Sequence, residues 1–432
     1  MYFKAVTEYY QSRKEHILNF SSFFVNRLIS LTLFAFTTSI FINRAGSKEF
    51  GVLTMLLLIY SYISVVDLGM GYAVGYRLTR AVSRKNFDYA QKILQHALPF
   101  YVIVGGCASM LVFVFARRLS ICFTKTDEYF LVYKIISFGI LPLVMDAAIL
   151  TVMQAYNKIY LINLSRLIYD VFRAVPLLLV LISKENLLEN ILILVVVGCF
   201  LKLLADIYLC FRLFGDLNWM KPVLIFKELR FNIIYGIPML LTLLIGMVIT
   251  SLDKFYVTNM LSMEQLANYS VALEINVKAW FLIWAVTGSL TTVLVRRNIL
   301  NISTRDIEKL SVMAVIVIFL VYYLPLIFFA KTILTLWINK NFAEKSYRIS
   351  RILSAASLFY MLYAVKHNFF QARGRFATIT IIYGIGLAVL LLSLAILPRY
   401  WGIEGVAGSY VVTYAGFVIT ADIFMRKIKI ND

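Results

Sequence analysis

The amino-acid sequence predicts an all-α polytopic membrane protein, with about twelve transmembrane helices in two six-helix lobes around a central cavity. Three observations support this fold class. Of the 432 residues, 61% are hydrophobic and 15% are charged, whereas a soluble domain carries about 25% charged residues. Apolar runs recur along the whole chain, and about 20 apolar residues suffice to span a bilayer as a helix. The connections between these runs are short, so no soluble domain is predicted.

Twelve hydrophobic segments are predicted to cross the membrane in order. Their residue numbers are 19–43, 50–75, 93–116, 130–153, 161–183, 190–212, 233–259, 266–293, 310–330, 350–371, 376–398 and 404–425. The residues before the first segment mix polar and aromatic side chains. This pattern does not resemble a cleaved signal peptide, so the first segment is expected to be retained.

The widest polar break lies near the midpoint of the chain, at 213–230. It divides the sequence into a predicted N-terminal lobe, 1–215, and a C-terminal lobe, 216–432. Two related six-helix halves with a binding site between them are a known transporter plan. A single continuous bundle is the alternative.

The formal net charge of +19 comes from 42 Lys and Arg residues against 23 Asp and Glu residues. Basic residues in the loops of a membrane protein indicate the cytoplasmic side and its anionic lipids. Placing both termini in the cytoplasm assigns an excess of loop Lys and Arg to that side. The predicted partners are therefore membrane lipids and not nucleic acid.

Many charged residues fall inside the apolar segments, where a charge at the bilayer centre costs about 2.5–3.5 kcal/mol. They must face a wet cavity, pair with each other, or reach the interface from a helix end. The bases are Arg27, Lys134, Arg166, Arg173, Lys202, Lys254, Lys278 and Lys366, and the acids are Asp67, Asp146, Asp170, Asp206, Asp253 and Glu274.

A cavity that binds an anion is predicted from the surplus of cations. Arg166, Asp170 and Arg173 are spaced i, i+4, i+7 and share one helical face, which leaves a net positive stripe. Arg27 has no neutralising partner in its own segment. The predicted substrate-binding residues are Arg27, Arg166, Arg173, Lys254, Lys278 and Lys366.

Other polar groups in the segments admit two interpretations. Lys202 and Asp206 form an i, i+4 pair that either fixes helix packing or has a functional role. Asp253, Glu274 and His367 are candidates for ion coupling, although a lone histidine also serves as a plain hydrogen-bonding residue. Trp280 and Trp284 either pack in the core or line a path for sugar rings.

The sequence gives no indication of catalysis. It contains none of the HExxH, GxxxxGK[ST] or GxSxG motifs and no cluster of Cys and His with metal-ligand spacing. Its four cysteines lack CxxC spacing and are predicted to be structural thiols. No catalytic residue, metal or cofactor is therefore predicted.

Five stretches resemble the polysaccharide exporters. RAGSKEFGVLTML (44–56) is similar to their turn after the first span, and VVDLGMGYAVGYRLTRAVSRKN (65–86) to their DLG signature. SLDKFYVTNMLSMEQLANYSVA (251–272) resembles the seventh and eighth spans, and QARGRF (371–376) and WGIEGVAGSYVV (401–412) the loops flanking the eleventh. The chain is identified as resembling Wzx-type flippases of O-antigen or other polysaccharide repeats, in the multidrug/oligosaccharidyl-lipid/polysaccharide exporter superfamily.

The resemblance implies a protein of the bacterial inner membrane whose two lobes open alternately to each side. It implies an oligosaccharide substrate linked to undecaprenyl pyrophosphate, and by position it places Arg27, Asp253 and Lys254 in the central cavity. Asp67 and Gly69 would belong to a structural turn. Two departures from the family pattern, at Asn268-Tyr269 and at Lys254, do not alter this assignment.

Three functional hypotheses follow. The first is a flippase, driven by an H⁺ or Na⁺ gradient or by a downstream sink, which works beside the polymerase of the same pathway. A small-molecule exporter of the multidrug branch is the second, although its cavity would carry little net positive charge. A polysaccharide polymerase is the third, but it would need a large external loop that the sequence does not contain.

Overall fold

The structure is a computed structural model that describes residues 2–63, 70–182, 185–215, 218–223, 225–283, 294, 303–373 and 375–431. Within these ranges the chain forms α-helices joined by short turns, and no β-strand occurs. The first seven helices are α1 Tyr2–Ala45, α2 Ser47–Ile63, α3 Met70–Ser83, α4 Phe87–Val114, α5 Ala116–Thr124, α6 Phe130–Ala155 and α7 Ile159–Ala174. The next seven are α8 Leu187–Phe214, α9 Phe226–Met260, α10 Met263–Lys278, α11 Arg305–Ile318, α12 Leu324–Trp337, α13 Lys340–Ala372 and α14 Phe376–Asn431.

The predicted hydrophobic segments coincide with helices wherever the structure describes them. Residues 64–69, which include Asp67 and Gly69, and residues 284–293, which include Trp284, lie outside the described ranges. Among the described residues, six helical stretches are long and apolar enough to cross a membrane: Ser21–Ala45, Phe87–Val114, Phe130–Ala155, Leu187–Phe214, Arg305–Trp337 and Ala377–Arg426. The prediction of an all-α polytopic membrane protein is confirmed.

Two departures from regular α-helical geometry in the middle of predicted spans lie beside prolines. The fifth predicted span, 161–183, is α-helical to Ala174 and then continues as a 3₁₀-helix over Val175–Leu181, with Pro176 at its start. Between α11 and α12 the chain makes a π-helical turn, Phe319–Tyr323, just before Pro325. Proline lacks an N–H, so the regular α-helical bonding is interrupted there.

The last two predicted spans lie in α14, which is broken at Gly402. This residue has φ 52° and ψ −131°, a conformation that side chains with a Cβ rarely adopt. Pro398 precedes the break by one turn. The two segments predicted on either side of residues 398–404 are therefore distinct helical runs.

The described helices divide into two compact units. Unit 1 comprises Met1–Ala45 and Met55–Leu243, and unit 2 comprises Gly46–Thr54 and Leu244–Asp432. In unit 1, α6 packs against α3, α4 and α8, and α7 packs against α1 and α8. In unit 2, α13 packs against α10, α12 and α14. The lobe boundary at residues 215 and 216 stays a prediction.

Candidate functional site

In unit 1, hydrogen bonds fix α1 against α7 near two of the predicted cations. The amide of Asn26 donates to the carbonyl oxygen of Asn163 at 2.7 Å. The amide of Asn163 in turn donates to the hydroxyl oxygen of Ser22 at 3.0 Å. Asn26 and Asn163 are buried. Because Arg27 follows Asn26, and Arg166 lies one turn beyond Asn163, this contact brings both arginines to the same region.

Arg27 and Arg166 form an exposed pair of like charges. Arg166 lies within the electrostatic range of the positive charge of Arg27 and of the carboxyl groups of Asp146, Asp170 and Asp206. The guanidinium of Arg27 sits 5.4 Å from the centre of the Phe23 ring. Among the described residues no ion pair is recorded for either arginine. An anion at this position would relieve the repulsion and accept forked hydrogen bonds from both guanidiniums.

The third predicted cation of unit 1 lies farther along α7. Arg173 is exposed and is two helical turns beyond Arg166, while Asp170 between them is half-buried. The i, i+4, i+7 spacing places all three side chains on one face of the helix, as predicted. Arg173 therefore extends the positive stripe away from Arg27.

A buried ion cluster lies on α6 and α8 in the same unit. The ammonium of Lys202 donates to Oδ2 of Asp206 at 2.8 Å and also to Oδ2 of Asp146. The three side chains are 5%, 0% and 8% exposed, respectively. The predicted Lys202–Asp206 pair is therefore real, and Asp146 is a third member that sequence reasoning did not join to it.

The cluster carries one cation and two carboxyl groups. If both carboxyl groups were ionised, a buried negative charge would remain, which is costly in a low-dielectric interior. Oδ1 of Asp146 and Oδ1 of Asp206 have no hydrogen-bond partner among the described residues. The long-range partner was not visible from the sequence, because Asp146 and Lys202 are 56 residues apart.

In unit 2, the predicted coupling residue Asp253 is fully buried. Its Oδ2 accepts a hydrogen bond from the hydroxyl of Tyr269 at 2.6 Å. Its Oδ1 has no partner among the described residues. The neighbouring Lys254 is half-buried. Asp253 is thus a buried carboxyl group that accepts a short hydrogen bond from Tyr269 and also lies within the electrostatic range of Lys254 and Tyr410.

The other two predicted cations of unit 2 have carboxylate partners. Lys278 Nζ lies 3.7 Å from Oε2 of Glu274, in the predicted i, i+4 arrangement, and both side chains are partly exposed. Lys366 Nζ lies 2.5 Å from Oδ1 of Asp422 on α14. Asp422 was not among the residues identified from the sequence, because it is 56 positions from its partner.

His367 belongs to an aromatic cluster in unit 2. Its ring centre is 5.9 Å from that of Tyr363 and 6.3 Å from that of Tyr383. Trp280 stacks on Tyr360 with ring centres 3.7 Å apart, and its indole N–H donates to Ser357 at 3.3 Å. Trp280 is buried, which agrees with the packing interpretation.

The six predicted cations divide equally between the units. Arg27, Arg166 and Arg173 lie in unit 1, and Lys254, Lys278 and Lys366 lie in unit 2. The shared central cavity stays a prediction. Within unit 1 the structure brings Arg27 and Arg166 within electrostatic range of each other.

The sequence and the fold of this chain are similar to those of known membrane transporters. Residues 24–167 match the MatE family model. Over 386 residues the chain is 20% identical to a candidate O-antigen transporter of Shigella flexneri. This match covers 88% of the chain and 90% of the relative. The structure is similar to an inward-facing multidrug resistance MATE family transporter of the MOP superfamily, with TM-score 0.75, 14% identity, and coverage of 93% and 97% of the two chains. It is also similar to the lipid II flippase MurJ in an inward closed conformation, with TM-score 0.74, 16% identity, and coverage of 95% and 87%.

The apolar helices and the similarity to solved structures define a polytopic membrane protein with the fold of the MATE transporters. The family match over residues 24–167, the relative and the fold shared with the solved structures agree with the resemblance to the multidrug/oligosaccharidyl-lipid/polysaccharide exporter superfamily. The resemblance identified from the sequence is therefore confirmed. Its relatives and structural neighbours are transporters and flippases.

Proposed function

We propose that the chain moves an oligosaccharide linked to undecaprenyl pyrophosphate from the cytoplasmic to the outer leaflet of the bacterial inner membrane. Alternating access of the two lobes would carry the head group and sugars, while the lipid tail stays in the bilayer. Two comparisons support this proposal: the relative is a candidate O-antigen transporter, and the lipid II flippase MurJ has a similar fold. The polymerase of the same pathway is the proposed downstream partner.

The observation that carries this proposal is the pair formed by Arg27 and Arg166. Two guanidiniums within electrostatic range of each other, neither of them in an ion pair with a described carboxylate, are suited to a diphosphate, which offers two negatively charged groups. Guanidiniums match phosphate oxygens in a forked geometry that an ammonium cannot reproduce. Arg173, Lys254, Lys278 and Lys366 complete the proposed path for the substrate.

Transport in liposomes tests the role of the arginine pair. The purified chain is reconstituted, and movement of a labelled undecaprenyl-pyrophosphate oligosaccharide to the opposite leaflet is measured with a membrane-impermeant reagent. Loss of one charge-assisted hydrogen bond costs about 1.5–3 kcal/mol. We therefore expect Arg27→Gln and Arg166→Gln each to lower the transport rate at least about tenfold.

Arg118→Gln is the matched control for these variants. Arg118 is also an exposed arginine of unit 1, with its guanidinium 5.6 Å from the ring centre of Phe115. Its substitution should leave the transport rate unchanged. Equal loss in all three variants, or no loss in Arg27→Gln and Arg166→Gln, would contradict the assignment of the pair to the substrate.

We further propose that Asp253, Glu274 or His367 couples transport to an H⁺ or Na⁺ gradient. Asp253 is the strongest of the three, because it is a fully buried carboxyl group with one oxygen bonded to Tyr269 and the other without a partner among the described residues. Transport is measured with and without each gradient in the wild-type chain and in Asp253→Asn. The expected result is stimulation by one gradient in the wild type alone. Equal rates in all conditions would remove ion coupling.

Two rival functions give different results in cells and in vesicles. Loss of a flippase traps single repeat units on the carrier of the inner leaflet, whereas loss of a polymerase leaves single units exported. The multidrug branch, favoured by the MatE match, predicts export of a lipophilic cation such as ethidium. Ethidium export without movement of the lipid-linked oligosaccharide would decide against the flippase.

A further inference from the structure

A cleft in unit 1, distinct from the Arg27–Arg166 pair, is lined by the end of α3 and the beginnings of α4 and α9. Its volume is about 580 Å³, within the range of about 300–1,000 Å³ that is usual for small-molecule sites. The lining residues are Tyr76, Arg77, Arg80, Ala81, Arg84, Asn86, Tyr89, Glu228 and Phe231. Three arginines against one glutamate give this lining a net charge of +2.

Arg77 is the fixed wall of the cleft. Its Nη1 lies 2.6 Å from Oε2 of Glu228 and donates to Oδ1 of Asn232 at 3.0 Å, while its Nη2 donates to the hydroxyl of Tyr89 at 3.0 Å. Its guanidinium also lies 5.5 Å from the ring centre of Phe231. Burial alone would lower the pKa of Arg77, but the hydrogen bonds to Tyr89 and Glu228 outweigh it and raise the pKa. Through these contacts Arg77 links α3 to both α4 and α9.

Arg80 and Arg84 supply the uncompensated charge. The three arginines of the cleft, Arg77, Arg80 and Arg84, are spaced i, i+3, i+7, which places them on one side of α3. Arg84 is the first residue after the end of this helix. Arg80 and Arg84 are exposed, and no ion pair is recorded for either one in the part of the chain that the structure describes. Like charges at this spacing repel each other, so an anion in the cleft would stabilise them.

The turn that carries Arg84 is well defined. Lys85 has a positive φ of 56°, and the N–H of Asn86 donates to the carbonyl of Ala81 at 3.0 Å. The side chain of Asn86 then caps α4 by accepting from the N–H of Tyr89 at 3.1 Å. The positions of Arg84 and Asn86 in the cleft are therefore set by backbone hydrogen bonds.

Exposed aromatic rings accompany the arginines. Tyr76, Tyr89 and Phe231 line the cleft and are 57%, 44% and 53% exposed. Aromatic side chains beside arginines are typical of the interface between a membrane and water. The sequence assigns Arg77, Arg80 and Arg84 to the cytoplasmic side, where anionic lipids are concentrated.

We infer that this cleft binds the phosphate of an anionic lipid headgroup from the cytoplasmic leaflet. Arg80 and Arg84 hold the phosphate oxygens, Arg77 forms the wall behind them, and the exposed rings contact the glycerol and upper acyl region. The inference does not depend on the proposed transport function, because it concerns lipid binding by the resting protein.

Binding of a fluorescent short-chain phosphatidylglycerol to the purified full chain in detergent tests the inference. Fluorescence anisotropy gives Kd for the wild type and for the double variant Arg80→Gln/Arg84→Gln. We expect Kd to rise about 30-fold in the variant, since each arginine near an anionic lipid contributes roughly a factor of five. The matched control, Arg117→Gln/Arg118→Gln, removes two other exposed arginines of unit 1 and should not change Kd.

Three further measurements distinguish a specific binding site from nonspecific electrostatic attraction. Arg80→Lys/Arg84→Lys keeps both charges but loses the forked donors, so its Kd should rise several-fold. A phosphatidylcholine probe should bind at least about tenfold more weakly than phosphatidylglycerol. Inorganic pyrophosphate should compete poorly. Size-exclusion chromatography verifies folding, and the lysine variant serves as the test if the glutamine variant does not fold.

The inference is overturned by any of three results. Equal weakening by both glutamine pairs would indicate diffuse electrostatic attraction. Wild-type Kd in the lysine variant would show that forked donors have no role. A lower Kd for inorganic pyrophosphate than for the lipid probe would assign a soluble phosphate in place of a lipid headgroup.

Discussion

Replacing Lys202 by methionine removes the cation from the buried cluster on α6 and α8. The two carboxyl groups that share this ammonium, Asp146 and Asp206, are 8% and 0% exposed. They lie in the two most deeply buried of the six apolar helical stretches found among the described residues, α6 and α8. Among the described residues, Lys202 is the only cation within hydrogen-bond distance of these two carboxyl groups.

The cost of this substitution follows from the geometry. Removing one partner of a buried ion pair costs about 3–5 kcal/mol, because the remaining charge is left without compensation. Two carboxylates that had shared one ammonium lie within about 6 Å of each other, where their repulsion is about 3 kcal/mol at an effective dielectric constant of 20. Proton uptake by one carboxyl group limits this second contribution. We therefore expect Lys202→Met to lower the free energy of unfolding by about 3–5 kcal/mol.

The same geometry predicts that charge balance can be restored. Asp146→Asn leaves the Lys202–Asp206 pair intact with no excess charge, so its cost should be less than half that of Lys202→Met. The triple variant Asp146→Asn/Lys202→Met/Asp206→Asn removes every charge, and it should recover at least half of the loss, since neutral replacement of a buried ion set is often tolerated. The effects are therefore expected to be strongly non-additive.

Unfolding of the purified chain in mixed micelles, followed by circular dichroism as SDS is increased, measures these differences. Asp127→Asn serves as the control. Asp127 accepts a hydrogen bond from Arg117 at 2.7 Å, which holds the pKa of Asp127 below its usual value, but both side chains are largely exposed. The stabilisation it provides is present above the pKa of the unfolded carboxyl group and is lost as the pH falls through the folded pKa. At pH 7 an exposed pair of this kind contributes little, so no measurable change is expected.

Two results would refute the reasoning about the cluster. The first is a Lys202→Met variant whose stability differs from that of the wild type by less than about 1 kcal/mol. The second is a triple variant that is at least as unstable as the single one. Either result would mean that the cluster is hydrated or is not held together by charge.

Two further predictions concern packing and the buried carboxyl group of unit 2. Gly198→Ala should lower the free energy of unfolding by about 1–3 kcal/mol, because the added Cβ would lie 2.3 Å from the Cβ of Phe172. In the control, Gly106→Ala, the added Cβ would meet nothing within 4 Å, so the free energy of unfolding should stay unchanged or rise slightly. Equal effects of the two substitutions in the same SDS titration would count against the close contact at Gly198. Tyr269→Phe should cost about 1–3 kcal/mol, because it removes the hydroxyl that donates to Asp253 at 2.6 Å; an unchanged unfolding midpoint would show that Asp253 has another donor.

Local features of the candidate site were predictable from the sequence. The Lys202–Asp206 and Glu274–Lys278 pairs follow from helical periodicity, which brings residues four positions apart onto one face. Their observed separations, 2.8 Å and 3.7 Å, confirm both. A pattern within one helix needs no information about the neighbouring helices.

Partners on different helices were not predictable. Asp422 pairs with Lys366, and Asp146 joins Lys202, across helices that follow long intervening stretches of chain. Which faces of two helices meet depends on the complementary packing of many side chains. A single sequence does not specify that packing by any local rule.

The sequence by itself determined the membrane-spanning, all-α character of this protein, because spans of about 20 apolar residues and basic loops are set by composition and order along the chain. The tertiary structure decided which charges are neutralised inside the protein. It paired Lys366 with Asp422, enclosed Lys202 between two carboxyl groups, and brought the exposed guanidiniums of Arg27 and Arg166 together. Electrostatic energy depends on distance and burial in space, and the order of residues along the chain fixes neither one.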